Sequence, residues 1–208
     1  MAKRDDQPKV CESAFDLIFD ISINTVVEGE PITFVCSVNS KPDPVVNLYK
    51  DETPISRETT TNLTYNIGNV VRSDRGNYKC EASNIVGSDT SQVQRLDVHD
   101  IPEFDSADEV TVGHEEQYVI ELEVSANPSD VTYQWTTNHP GIENTDTNPA
   151  TFTFNDPDGS VTVFTITLTV TNSIGLTTKS IKIIVMGSIR YDIKTFHYLG
   201  LVVQVVMS

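Results

Sequence analysis

The sequence predicts an all-β chain of two β-sandwich modules in tandem, and three observations carry that reading. Apolar residues recur at every second position in short runs, Gly, Pro, Asn and Asp punctuate those runs, and the pattern returns in the second half of the chain. Thr, Val, Ile and Ser are abundant and long Ala/Leu/Glu/Lys runs are missing, which favours strands over helices. A chain of 208 residues has room for two domains of about 100 residues each. Its hydrophobic content of 38% suffices for packed cores and is too high for a disordered chain.

Residues 1–13 are polar and read as a flexible N-terminal segment in which Cys11 stands alone. The first module is expected over 14–99. Ile32, Phe34, Cys36 and Val38 alternate along one strand face, as do Leu63, Tyr65 and Ile67, and then Tyr78, Cys80 and Ala82. Pro42, Asp43 and Pro44, then Asp51 to Pro54, read as turns. An acidic stretch from His99 to Glu109 is expected to act as a linker.

The second module is expected over 100–186. Its rows are Ile120, Leu122, Val124 and Ala126; Val131, Tyr133 and Trp135; Phe152 and Phe154; Phe164, Ile166, Leu168 and Val170; and Ile181, Ile183 and Val185. Asn155-Asp156-Pro157-Asp158-Gly159 is a turn signal. Cys36 precedes Pro42 by six residues, and Leu122 precedes Pro128 by six. Cys80 precedes Asn84 by four, and Leu168 precedes Asn172 by four. The two modules are therefore weak copies of one architecture. Residues 187–208 receive no assignment: the start of a further domain, a truncated membrane anchor and translated non-coding sequence all fit.

Residues 72–87, with Asp74, Gly76, Tyr78 and Cys80 in order, resemble the Asp-x-Gly-x-Tyr-x-Cys pattern of immunoglobulin domains. The continuation Ala82-x-Asn84-x-x-Gly87 is similar to the intermediate set of that superfamily, and the likeness spans about 15–98. It implies a disulfide between Cys36 and Cys80 on opposite sheets, and a Tyr78 that ties the preceding loop to its strand. It also implies that Asp74 and Gly76 shape that turn, with Asp74 paired to a basic side chain such as Arg57. The family's core tryptophan is absent, and Leu48 stands in its place. The second module keeps Trp135 and replaces both cysteines with Leu122 and Leu168. Its last strands also resemble polycystic-kidney-disease-type modules, although Thr136-Thr137-Asn138-His139 follows the tryptophan where those carry Gly-Asp-Gly. Both assignments are β-sandwiches.

Thirty acidic against 14 basic residues give a net charge of −16, which repels nucleic acid and anionic membranes. No secretory signal follows Met1 and no run approaches the roughly 20 apolar residues of a membrane span. The chain is thus expected to be a piece of a longer secreted or cell-surface protein, with a cytoplasmic location as the alternative. Asn62-Leu63-Thr64 is the candidate N-glycosylation acceptor. The histidines at 99, 114, 139 and 197 lack metal or triad spacing, and His114 with Glu115 and Glu116 reads as an exposed turn. Asp97, Asp100, Glu103, Asp105, Asp108 and Glu109 offer a weak Ca²⁺ alternative to a solvated linker. Catalysis, cofactors, small-molecule substrates and metals are not expected. The resemblance implies a non-enzymatic adhesion or recognition module that binds other surface or extracellular proteins, like copies included. An intracellular muscle-type scaffold and a signalling-receptor ectodomain are the alternatives.

Overall fold

The computed structural model describes residues 15–104, 108–113, 117–139, 146–153, 162–186, 196–198 and 201–206. The chain divides into two compact units, Met1–Val98 and His99–Ser208. The expectations for residues 1–13, Cys11, Asp105, His114 to Glu116, Phe154 and the turn at 155–159 lie outside the described residues.

The first unit is a β-sandwich. One sheet holds β1 (Asp16–Ile21), β3 (Ile32–Asn39) and β6 (Asn62–Ile67) in the order β1-β3-β6. The other orders β9 (Gln94–Phe104), β7 (Gly76–Ser83), β4 (Val45–Lys50) and β5 (Thr53–Thr59), with β2 (Thr25–Val27) on β9 and β8 (Ser88–Thr90) on β7. Strict alternation along β3 buries Ile32, Phe34, Cys36 and Val38 against Leu48, Leu63, Tyr78 and Leu96. The hairpin from β4 to β5 turns on Asp51 and Glu52, both at positive φ (46° and 66°), as a two-residue turn matched to strand twist requires. Thr53 and Pro54, expected in that turn, already belong to β5, an edge strand where proline costs no ladder bond.

The second unit is also a β-sandwich. β10 (Glu109–Val112), β16 (Leu176–Val185), β15 (Thr162–Thr171) and β13 (Thr132–Thr137) form one sheet in that order, with β10 parallel to β16. β14 (Ala150–Thr153) and β11 (Gln117–Leu122) lie in the other, and β12 (Val124–Asn127) pairs with Asp100, Glu103 and Phe104. The expected linker is thus strand as far as Phe104. The single row expected from Ile120 to Ala126 is broken between β11 and β12. There the Asn148 side chain replaces a strand partner, accepting from the Leu122 N–H (3.1 Å) and donating to its carbonyl (2.7 Å). Within 187–208, β17 (Phe196–Tyr198) pairs with β18 (Leu201–Val206), and β18 runs antiparallel to β11.

Candidate recognition surfaces

Cys36 on β3 and Cys80 on β7 are fully buried and joined by a disulfide, with Cα atoms 6.2 Å apart and a sequence separation of 44. Closing a loop of that length stabilises the unit by about 4 kcal/mol on the chain-entropy model. Leu48, also fully buried, lies directly opposite Cys80 in the β4–β7 register and occupies the space beside the disulfide. The Tyr78 hydroxyl donates to the Asp74 carbonyl at 2.7 Å, while its ring stacks 4.4 Å from Phe34. Burial, with the Asp74 charge second, pushes the Tyr78 phenol well above its ordinary range.

One expectation for this turn needs correction. The Asp74 carboxylate does not reach out to Arg57 as its anchor. It accepts from the Val71 N–H at 2.9 Å and so caps the one-turn 3-10 helix Arg72–Asp74. A partner three residues away in sequence is ordered at little further entropic cost. Gly76 has, besides the turn, a close neighbour. A Cβ there would fall 2.5 Å from Asp51 Oδ2, and that carboxylate is fixed because Oδ1 accepts from the Asn77 N–H at 2.9 Å.

In the second unit Leu122 and Leu168 are buried in one cluster with Trp135, and Leu168 pairs with Trp135 across β13 and β15. Trp135 Nε1 donates to the Thr147 carbonyl at 3.0 Å, and the ring meets Phe152 edge-on at 5.5 Å. This satisfies the indole's donor while its body fills the core.

The described acidic side chains between 97 and 109 take separate partners. Asp97 lies 3.5 Å from Arg75. The buried Asp100 carboxylate accepts from the Asn127 N–H at 3.1 Å. Asp108 pairs with Lys179 at 2.5 Å, which holds its carboxyl below the usual range, and Glu109 pairs with Lys182 at 2.7 Å. No group of three or more His, Cys, Asp or Glu suited to a metal occurs among the described residues. The Ca²⁺ alternative therefore gains nothing from the structure.

What remains are surfaces. On the first unit, the outward side of β4 and β7 is charged. Lys79 bridges Glu52 (2.7 Å) and Glu81 (3.3 Å) and sits 5.4 Å from the centre of the Tyr49 ring. On the second unit, the outward side of β13, β15 and β16 is a lattice of hydroxyls. Thr136, Thr167 and Ser180 form one cross-strand row, and Gln134, Thr169 and Thr178 form the next. Thr167 and Ser180 are hydrogen-bonded at 3.0 Å. Val163 and Leu176 are exposed at the ends of this side, and among the described residues of these strands its charges are Lys182 and Glu109, which neutralise one another. The alternating threonines of 162–171 carried this signal in the sequence, where they read only as strand formers. On the three-stranded sheet of the first unit, Asn62 and Thr64 are exposed while Leu63 between them is buried.

The family profile described as "Immunoglobulin domain" matches residues 18–98. The limbic system-associated membrane protein of Rattus norvegicus is 28% identical over 177 residues, which is 80% of this chain and 51% of that protein. The neural cell adhesion molecule L1-like protein of Homo sapiens is 39% identical over 70 residues, 32% of this chain and 6% of that protein. The chain thus spans about half the length of the first relative and far less of the second. A solved titin fragment superimposes with a TM-score of 0.55 at 16% identity, covering 82% of this chain and 98% of the fragment, a likeness of fold alone. Because the matched profile lies over the sandwich closed by Cys36 and Cys80, residues 18–98 are an immunoglobulin domain, and the chain is similar to adhesion proteins that carry such domains.

Proposed function

We propose that this chain is an extracellular recognition module that works by binding and not by catalysis, and that its partner is a second copy of itself. The observation that carries the reading is the hydroxyl face of the second unit. A chain with net charge −16 repels its own copies over most of its surface. Among the described residues the face of β13, β15 and β16 carries one mutually neutralised ion pair, so two copies can approach there without like-charge repulsion. Interface cores are depleted of charge in the same way. Strands of six, ten and ten residues at the usual rise and sheet spacing give roughly 400 Å² per copy, the size of a weak, reversible contact. The kinship with adhesion proteins supports the same reading.

Sedimentation of the full chain across a concentration series tests it. Self-association is expected in the wild type and is expected to vanish in T167E/T169E, which sets like charges against each other across the contact. Retention of the Trp135 fluorescence midpoint would show that the unit still folds. A chain that stays monomeric throughout, or a charged variant that associates as before, would overturn the reading.

A further inference from the structure

The outward side of the three-stranded sheet carries an exposed Ile18, and the same cross-strand row holds the glycan acceptor. Register runs Ile18–Ser37–Asn62 across β1, β3 and β6. Ile18 is 60% exposed, although its neighbours on that side of β1 are Asp16 and Asp20, as suits a solvated face. We infer that the groove beside this row holds the first sugars of an N-linked glycan carried on Asn62. The inference rests on the extracellular reading proposed above.

Three features of the row fit a carbohydrate. Leu63 points into the core, so Asn62 and the Thr64 of its triplet both face solvent, where the folded chain can carry a glycan without losing packing. The Ser37 hydroxyl donates to Asn62 Oδ1 at 3.4 Å, which lays the side chain along the row toward Ile18. A groove of about 370 Å³ opens there, and its lining includes Asp16, Ile18, Ser37, Asn39, Lys41 and Asp43. A pyranose has an apolar C–H face and a rim of hydroxyls, and this groove offers the exposed Ile18 among carboxylates, an amide, hydroxyls and the Lys41 ammonium. Ile18 lies two strands from Asn62, about 10 Å at ordinary sheet spacing, a span that two linked sugars cover. Covalent attachment holds the sugars at high effective concentration, so a shallow groove is enough.

The test uses the full chain secreted from cells that add N-glycans, in the wild-type and I18S backgrounds. Each is compared fully glycosylated and trimmed enzymatically to a single sugar. Trimming is expected to lower the first unit's unfolding midpoint and to speed amide exchange over Asp16–Ile21. Both effects are expected to fall by at least half in I18S, whose exposed position makes misfolding an inadequate explanation. Equal effects of trimming in the two backgrounds would overturn the groove assignment. So would a secreted chain whose Asn62 carries no sugar. Neither outcome touches the recognition reading, which stands or falls on the sedimentation measurement.

Discussion

Asn84 and Asn172 hold corresponding hairpins of the two units with the same set of hydrogen bonds. Asn84 Oδ1 accepts from the N–H groups of Val86 (2.8 Å) and Gly87 (3.1 Å), and its Nδ2 donates to the Pro42 carbonyl at 2.6 Å. Asn172 Oδ1 accepts from Ile174 (3.0 Å) and Gly175 (3.1 Å), and its Nδ2 donates to the Pro128 carbonyl at 3.2 Å. The second Nδ2 bond runs to the Asp100 carbonyl at 2.8 Å from Asn172 and to the Ser40 hydroxyl at 3.5 Å from Asn84, and Asn172 is buried whereas Asn84 is half-buried.

That difference ranks two substitutions. N172A strands two backbone N–H groups and two carbonyls in a buried site, and is expected to cost about 2–4 kcal/mol. Water can replace part of what N84A removes, so about 1–2 kcal/mol is expected there. Trp135 is the single tryptophan and sits in the second unit, so its fluorescence in a urea titration reports N172A directly. Circular dichroism follows the first unit for N84A. A larger loss for N84A than for N172A would contradict the ranking.

The Gly76–Asp51 approach predicts coupling. G76A places a methyl against the Asp51 carboxylate and is expected to destabilise the first unit by about 1–3 kcal/mol, the usual range for overpacking. In the D51A background the obstacle is gone. The double variant should therefore lose measurably less than the two single losses added together. Strict additivity in the denaturation midpoints would show that Gly76 is needed for its backbone alone.

Asp51 also sets a pH dependence. The Asn77 N–H, and after it Lys50, hold its carboxyl below the ordinary carboxylate range. The unfolded chain therefore takes up this proton at higher pH than the folded one, and stability rises with pH through the interval. The contribution is complete above about pH 4, the unfolded value, and is lost as pH falls below it. D51N should be less stable than wild type at pH 7 and should show a shallower loss between about pH 4 and pH 2. Parallel acid-denaturation curves would remove Asp51 from the account.

Much of this was legible in the residues, for identifiable reasons. Period-2 alternation places Ile32, Phe34, Cys36 and Val38 inward whatever the loops do, because a strand has two faces and one is buried. The matched intervals around Pro42 and Asn84, and around Pro128 and Asn172, pointed to one hairpin device used twice. Contacts between side chains far apart in sequence were hidden. Nothing near Gly76 names Asp51, and Asn148 gives no sign that it interrupts the strand at Leu122. The hydroxyl lattice was hidden for a different reason: threonine is as good a strand former as it is a surface residue, so its alternation carries two messages at once.

The two units secure equivalent core positions by different chemistry, and this separates their responses to reductant. In the first, Cys36 and Cys80 are covalently joined; in the second, Leu122 and Leu168 rest on Trp135 and its neighbours. Reduction, or C36A/C80A, should lower the first unit's stability by about 4 kcal/mol, the loop-closure contribution. The transition seen by Trp135 fluorescence should not move, because its unit has its own buried cluster and no disulfide among the described residues. L168A should do the converse. It opens a cavity against the indole, costs about 2–5 kcal/mol, and shifts the fluorescence transition with or without reductant. If reductant shifted the Trp135 transition as far as L168A does, the second unit would owe its stability to the first unit's disulfide and not to its own leucines.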